Sequence, residues 1–136
     1  MLNIVRNVTT IAAFLALAGA VAAQDPDWYQ QREDRYRAEH WKAHMFAEIR
    51  TDLDHVQSTA FSGHDEHRIV RTKQDLDDLQ SALAAGRYEE PKLDEVIGSL
   101  QRVVEDNRMS KRDRDMLNDD LERLHNYREH HAEWEH

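Results

Sequence analysis

Apolar residues recur along this chain at spacings of three and four, and after residue 24 they never alternate as they do in a β-strand. This spacing places them on one face of a helix. It predicts four helical stretches, at about 27–59, 64–85, 89–106 and 110–134. The apolar stripes are Met45, Phe46, Ile49, Leu53 and Val56; Ile69, Leu76, Leu79 and Leu83; Leu93, Val96, Ile97, Leu100, Val103 and Val104; and Leu117, Leu121 and Leu124, continuing weakly through Tyr127, His131 and Trp134.

Several residues mark the ends of these helices. Ser62 and Ser110 are each followed three residues later by aspartate, a pattern similar to a capping box. Gly86 stands where a C′ glycine belongs, and Pro91 fits a first helical position. Short connections favour antiparallel neighbours. We therefore predict an all-α fold, a small up-and-down bundle of about four helices with a long first helix, in which Gly98 lets a neighbouring helix approach.

Residues 1–23 have the pattern of a secretory signal peptide. Arg6 supplies positive charge, residues 11–18 form an apolar core, and small residues end the segment at Ala23. The apolar run is shorter than the roughly 20 residues of a membrane span. We expect cleavage after Ala23, a periplasmic location and no stable membrane anchor afterwards; an uncleaved anchor is the alternative.

The remaining chain divides by composition into a polar and aromatic helical extension, 24–44, and a bundle domain, 45–136. The protein has 18 basic and 27 acidic side chains, a net charge of −9, and no cysteine. Acidic balance argues against a nucleic-acid partner, and lack of cysteine excludes disulfides and thiolate metal sites. Leu, Ile, Val and Phe are sparse after residue 23, which predicts a marginal monomer or a homodimer.

Nine histidines are the most obvious candidates for chemistry. His40 and His44 are four residues apart, a spacing that lets two imidazoles share a metal. On a helical wheel, however, they lie about 140–180° from Ile49, opposite the core. His64 and His67 also point away from their apolar stripe. We expect a solvated polar face and no cofactor, with His40 and His44 as weak candidates for zinc, copper or nickel.

The acidic residues are interpreted as surface charge. We expect outward positions beside lysine and arginine for Asp75, Asp77, Asp78, Asp119, Asp120 and Glu122, and ordinary surface positions for Glu48, Asp52, Arg112 and Asp113. No serine lies in a nucleophile elbow, and no glycine-rich phosphate loop is present. The sequence therefore predicts a protein that is not an enzyme.

An aromatic and arginine-rich strip covers residues 28–41. Trp28, Tyr29, Arg32, Tyr36 and Trp41 are the candidates for binding a partner, because Trp, Tyr and Arg are the usual anchors of protein interfaces. The alternative is that these rings pack against the C-terminal helix.

The region 41–134 resembles a group of small secreted bacterial helical proteins without an assigned function. The resemblance rests on four stretches, RTDLDHVQ (50–57), RTKQDLDDLQ (71–80), GRYEEPKLDEVIGSLQRVVEDN (86–107) and MSKRDRDMLNDDLERL (109–124). A weaker likeness is to the Spy/CpxP group of periplasmic chaperones. Residues 109–113, MSKRD, resemble that group's LTxxQ motif, with Met for Leu and Asp for Gln.

These observations favour a non-enzymatic periplasmic helical protein that acts through its surface, by binding a protein partner or itself. One alternative is a low-affinity histidine-based metal buffer or sensor, and another is an envelope-stress chaperone, as the second resemblance implies. A further hypothesis is self-association at acidic pH, because protonation of the histidines cancels most of the negative charge.

Overall fold

The computed structural model describes residues 26–37 and 44–134. The predicted signal peptide, His40 and Trp41 lie outside this part of the chain. The described residues form α1 (Pro26–Arg37), α2 (Met45–Gln57), α3 (Gly63–Ala84), α4 (Glu90–Asp106) and α5 (Lys111–Trp134), and they include no strand. The predicted all-α class is therefore confirmed.

The chain divides into two compact units. α1 belongs to the first, residues 1–41, and the other four helices belong to the second, residues 42–136. In the second unit α3 packs on α4, α4 on α5, and α2 on both α3 and α5. Each helix thus packs beside its neighbour in sequence, and α2 closes the set against α5, which is the arrangement of a four-helix bundle.

The predicted long first helix is wrong. α2 begins anew at Met45, because the preceding His44 has φ −114° and ψ 10° and acts as the N-cap. The stretch before it contributes the separate helix α1. The boundary coincides with the predicted change of composition between 44 and 45, but residues 38–44 contain neither glycine nor proline to mark the end of a helix.

The core follows the predicted stripes. The largest fully buried side chains are Met45, Ile49, Leu53, Ile69, Leu76, Leu79, Leu93, Val96, Leu100, Val103, Leu117 and Leu124. The predicted approach of a neighbouring helix at Gly98 is wrong, because a Cβ at this position would meet only Arg102 of the same helix, at 3.8 Å.

Side-chain caps fix the starts of two helices. Ser62 accepts a hydrogen bond from the Asp65 amide, and Ser110 accepts one from the Asp113 amide, both at 3.1 Å. These bonds confirm the N-cap half of each predicted capping box. The caps use only the backbone amides of Asp65 and Asp113, so the carboxylates of these residues are available to bind other side chains.

Asn107 joins three helices at the α4–α5 connection. It is buried, its Nδ2 donates to the Asp65 carbonyl at 2.9 Å, and its Oδ1 accepts from Arg68 at 3.1 Å. Its own carbonyl accepts from Arg114 at 3.2 Å. The first turns of α3 and α5 are therefore both tied to the end of α4.

Candidate functional site

The aromatic strip of α1 is largely engaged in contacts. Trp28 and Tyr29 are half-buried, with ring centroids 5.2 Å apart in an edge-to-face arrangement. Arg32 and Tyr36 are buried, and the Arg32 guanidinium lies 4.6 Å from the Tyr36 ring centroid. Trp41 is outside the described residues. Partner binding through this strip stays a prediction, and so does packing against the C-terminal helix.

The described residues hold no group of three His, Asp or Glu side chains placed to bind a metal ion. His44 is exposed at the start of α2, and its predicted partner His40 is outside the described part. His64 and His67 are exposed on α3, as the helical wheel predicted. Metal binding at His40 and His44 therefore stays a prediction from sequence.

The expectation that the acidic residues lie on the surface is wrong at several positions. Asp52, Asp75, Asp113 and Asp120 are all buried. The capping residue Asp65 is buried as well. Buried carboxylates are retained where they are paired or hydrogen-bonded, because desolvation of an isolated charge is costly.

Three of the buried carboxylates have an identified side-chain partner, two of them on another helix and one on the same helix. Asp113 Oδ1 lies 3.2 Å from His55 Nε2, which links the first turn of α5 to α2. Asp75 accepts a hydrogen bond from the Ser99 hydroxyl of α4. Asp120 Oδ1 lies 3.8 Å from Arg123 Nη1. The Asp113–His55 and Asp75–Ser99 contacts join neighbouring helices, whereas the Asp120–Arg123 contact lies within α5.

Aromatic rings group around Tyr127, on the stripe predicted for the last helix, and the sequence did not reveal that Phe46 and Tyr88 join them. Phe46 of α2 meets the Tyr127 ring edge-on at 5.2 Å, and Trp134 lies 5.3 Å from it. Tyr88, from the α3–α4 connection, stacks on His131 with centroids 3.6 Å apart and planes 8° apart. Tyr127, His131 and Trp134 share a face because they lie about one and two turns apart on α5.

Gly86 places Tyr88 in this group. Its φ of +78° is a conformation that residues with a Cβ rarely adopt. The Arg87 amide donates to the Ala82 carbonyl at 2.9 Å, and the Gly86 amide donates to the Leu83 carbonyl at 3.0 Å, which together make a Schellman motif. This turn ends α3 and brings Tyr88 against α5.

Beside these rings is a cleft of about 500 Å³, here called the aromatic cleft. Its lining residues are Leu83, Gly86, Arg87, Tyr88, Tyr127, His131 and Ala132. The volume falls within the range of roughly 300–1,000 Å³ that is typical of binding pockets. His130, just before the stacked imidazole, departs from helical geometry with φ −127° and ψ 19°, so α5 bends at the edge of the cleft.

Two polar atoms of residues that line the cleft are buried and have no hydrogen-bond partner among the described residues. They are the Tyr88 hydroxyl and His131 Nδ1. Burial, followed by the negative charge of Glu90, raises the pKa of Tyr88 above its usual value of 10.0. The hydroxyl therefore stays protonated at neutral pH and can donate a hydrogen bond.

A buried polar atom left without a partner costs about 1–3 kcal/mol. Because each atom has less than 1 Å² of accessible surface, a bound group would recover that energy only if the Tyr88 and His131 side chains moved to expose them. The rings would contribute apolar contact at the same time. The aromatic cleft therefore has the chemistry of a binding site for a neutral polar group attached to an apolar one.

Comparisons with protein-family models, with curated proteins and with solved structures found no match to this chain. Within the described residues, no helix is both long enough and apolar enough to cross a membrane.

Proposed function

We propose that this protein is a non-enzymatic helical binding protein of the bacterial periplasm, and that it binds a polypeptide segment through the aromatic cleft. The observation that carries the proposal is the cleft of about 500 Å³ lined by Tyr88, Tyr127 and His131, of which Tyr88 and His131 each hold a buried polar atom without a partner among the described residues. A peptide backbone offers one donor and one acceptor per residue, which complements this pair.

The other lining residues suit a side chain of the same segment. Leu83 and Ala132 add apolar surface, and Tyr127 adds an aromatic wall. Arg87 is exposed at the rim, and its only ion pair within the described residues is a 3.9 Å contact with Glu89. Tyrosine and arginine are frequent anchors at protein interfaces. The expected occupant is therefore a segment that inserts one large apolar side chain and exposes backbone amides beside it.

Site-specific photo-cross-linking in cells tests this proposal. A photoreactive phenylalanine analogue replaces Arg87 at the rim of the cleft, and in a control it replaces the exposed Glu105 of α4. We expect a discrete adduct from position 87 alone, and we expect Tyr88→Ala to abolish it. An adduct of twice the chain mass identifies a second copy as the partner, and any other mass identifies another protein. Equal labelling at both positions, or none, contradicts the proposal.

A conservative variant separates the contribution of the Tyr88 hydroxyl to binding from that of its ring. Tyr88→Phe keeps the stack on His131 and removes only the hydroxyl, so we expect the adduct to weaken rather than disappear. Circular dichroism checks that each variant is folded.

The periplasmic location is proposed from the pattern of residues 1–23. Cell fractionation and mass spectrometry of the recovered protein test it. We expect a mature chain that begins at Gln24 in the periplasmic fraction. Recovery of an unprocessed chain that begins at Met1 in the cytosol would contradict this part of the proposal.

A further inference from the structure

A second cleft lies between α3 and α4, and arginines dominate its lining. Its lining residues are His67, Arg68 and Arg71 of α3 and Ser99 and Arg102 of α4. The volume is about 210 Å³, more than tenfold the roughly 15 Å³ that admits one water molecule. None of the described residues that line it carries a carboxylate. We call it the arginine cleft.

Two of the arginines have acceptors next to the cleft. Arg68 Nη1 lies 3.2 Å from Asp65 Oδ1 and donates to Asn107 Oδ1 at 3.1 Å. Arg71 Nε lies 3.5 Å from Asp75 Oδ1. Each guanidinium carries five N–H donors in a fixed plane. The two contacts of Arg68 orient its guanidinium, and most donors of both groups are left unused by the described residues.

The third arginine is not neutralised. Arg102 is exposed and makes no ion pair or hydrogen bond with any of the described residues. One of its terminal nitrogens lies 3.8 Å from the position that a Cβ would take on Gly98, so the guanidinium lies back along α4. Of the three guanidinium groups, only those of Arg68 and Arg71 pair with carboxylates, Asp65 and Asp75, so the lining has an excess positive charge in a protein with a net charge of −9.

We propose that the arginine cleft binds a single phosphate group. Guanidinium donors match phosphate oxygens and bind them with charge-assisted hydrogen bonds. The guanidinium donors come from two helices, so they approach the ligand from different directions. A tetrahedral anion has an oxygen pointing in each of these directions. A nucleic-acid backbone needs a longer basic surface. The proposal does not depend on the aromatic cleft, whose lining residues are different.

Calorimetric titration of the purified protein with inorganic phosphate, at constant ionic strength, tests the proposal. The variants are Arg102→Gln and, as a matched control, Arg108→Gln. Arg108 is exposed in the α4–α5 connection and does not line the cleft, so both variants change the net charge equally. We expect saturable binding to the wild type and to Arg108→Gln, and affinity weakened by about tenfold in Arg102→Gln, as the loss of one charged donor implies.

The phosphate group could belong to a soluble compound or to a lipid headgroup, and a second arm separates these sources. Phosphatidylcholine vesicles with and without phosphatidic acid are sedimented with the same three proteins. Binding of free phosphate without vesicle binding indicates a soluble ligand, and Arg102-dependent sedimentation with phosphatidic acid indicates a headgroup. The proposal is overturned if neither probe binds, or if Arg102→Gln and Arg108→Gln bind equally well.

Discussion

Ser99→Ala measures how much one buried hydrogen bond contributes to the bundle. Ser99 and Asp75 lie between α3 and α4, which share the largest interface of the second unit. Ser99 is 5% exposed and Asp75 is 7% exposed, and the serine hydroxyl donates to Asp75 Oδ2. The substitution removes the donor and leaves a buried carboxylate oxygen without it.

The expected cost is about 2 kcal/mol. Hydrogen bonds to charged groups contribute about 1.5–3 kcal/mol, and the remaining contact of Asp75, with Arg71 at 3.5 Å, cannot replace the lost donor because that side chain is 67% exposed. A loss of 1 kcal/mol shifts Tm by roughly 4–8 °C in a domain of this size, so we expect Tm to fall by about 8–16 °C. In urea, the midpoint should fall by about 1 M for an m-value near 2 kcal/mol/M.

Urea unfolding followed by circular dichroism, with Ser99→Ala, Asp75→Ala and the double variant, separates this bond from other effects. We expect the double variant to be less destabilised than the sum of the single variants by about 1.5–3 kcal/mol. If the two single effects add, or if Ser99→Ala changes the free energy of unfolding by less than about 0.5 kcal/mol, the hydrogen bond does not hold the helices together as argued.

Three further predictions concern stability. Gly86→Ala should destabilise the protein by about 1–2 kcal/mol, because φ is +78° at this position. Gly98→Ala should stabilise it by about 0.5–1 kcal/mol, because the added Cβ meets only a flexible side chain. Thermal melts of both variants test this, and a destabilised Gly98→Ala would contradict it. The pKa of Tyr88 is raised in the folded state, so the stability linked to its protonation is complete below pH ~10 and is lost as pH rises through the folded pKa. At alkaline pH, the free energy of unfolding should therefore fall less in Tyr88→Phe than in the wild type. Parallel curves of unfolding free energy against pH would refute this. Leu100→Ala should cost about 2–5 kcal/mol in urea unfolding, against less than about 0.5 for Phe61→Ala, which is 66% exposed; equal effects would contradict the assigned core.

Much of the fold could be predicted because periodicity, caps and helix stops agree along the second unit. The stripes around Ile49, Leu76, Leu100 and Leu117 all became core. The start of α2 coincides with the predicted compositional boundary at 44/45, but no glycine, proline or side-chain cap marks it as the start of a new helix.

The burial of these carboxylates could partly be predicted from the sequence. Asp52 lies about 60° from Ile49 on a helical wheel, and Asp113 about 40° from Leu117, so both belong on the inner half of their helices. The assumption that acidic residues are solvated outweighed that geometry. Their partners depend on which helices become neighbours, and that information is tertiary.

The two clefts depend even more on tertiary structure. Tyr88 lies in a connection, where it follows no helical period, so nothing local indicated that it would stack on His131. Arg68 and Arg102 are unremarkable surface arginines in the sequence until α3 and α4 are placed side by side.

Asn107 makes the α4–α5 connection less tolerant of inserted residues than the α2–α3 connection. Loops are usually where a fold accepts inserted residues, but only where few contacts depend on the local backbone. The α4–α5 connection would lose the bonds of Asn107 to Asp65, Arg68 and Arg114 if it were lengthened. The α2–α3 connection, with exposed Phe61, has no comparable joint among the described contacts. An epitope tag or a fused domain therefore belongs next to Phe61, where it leaves the register of all four helices intact.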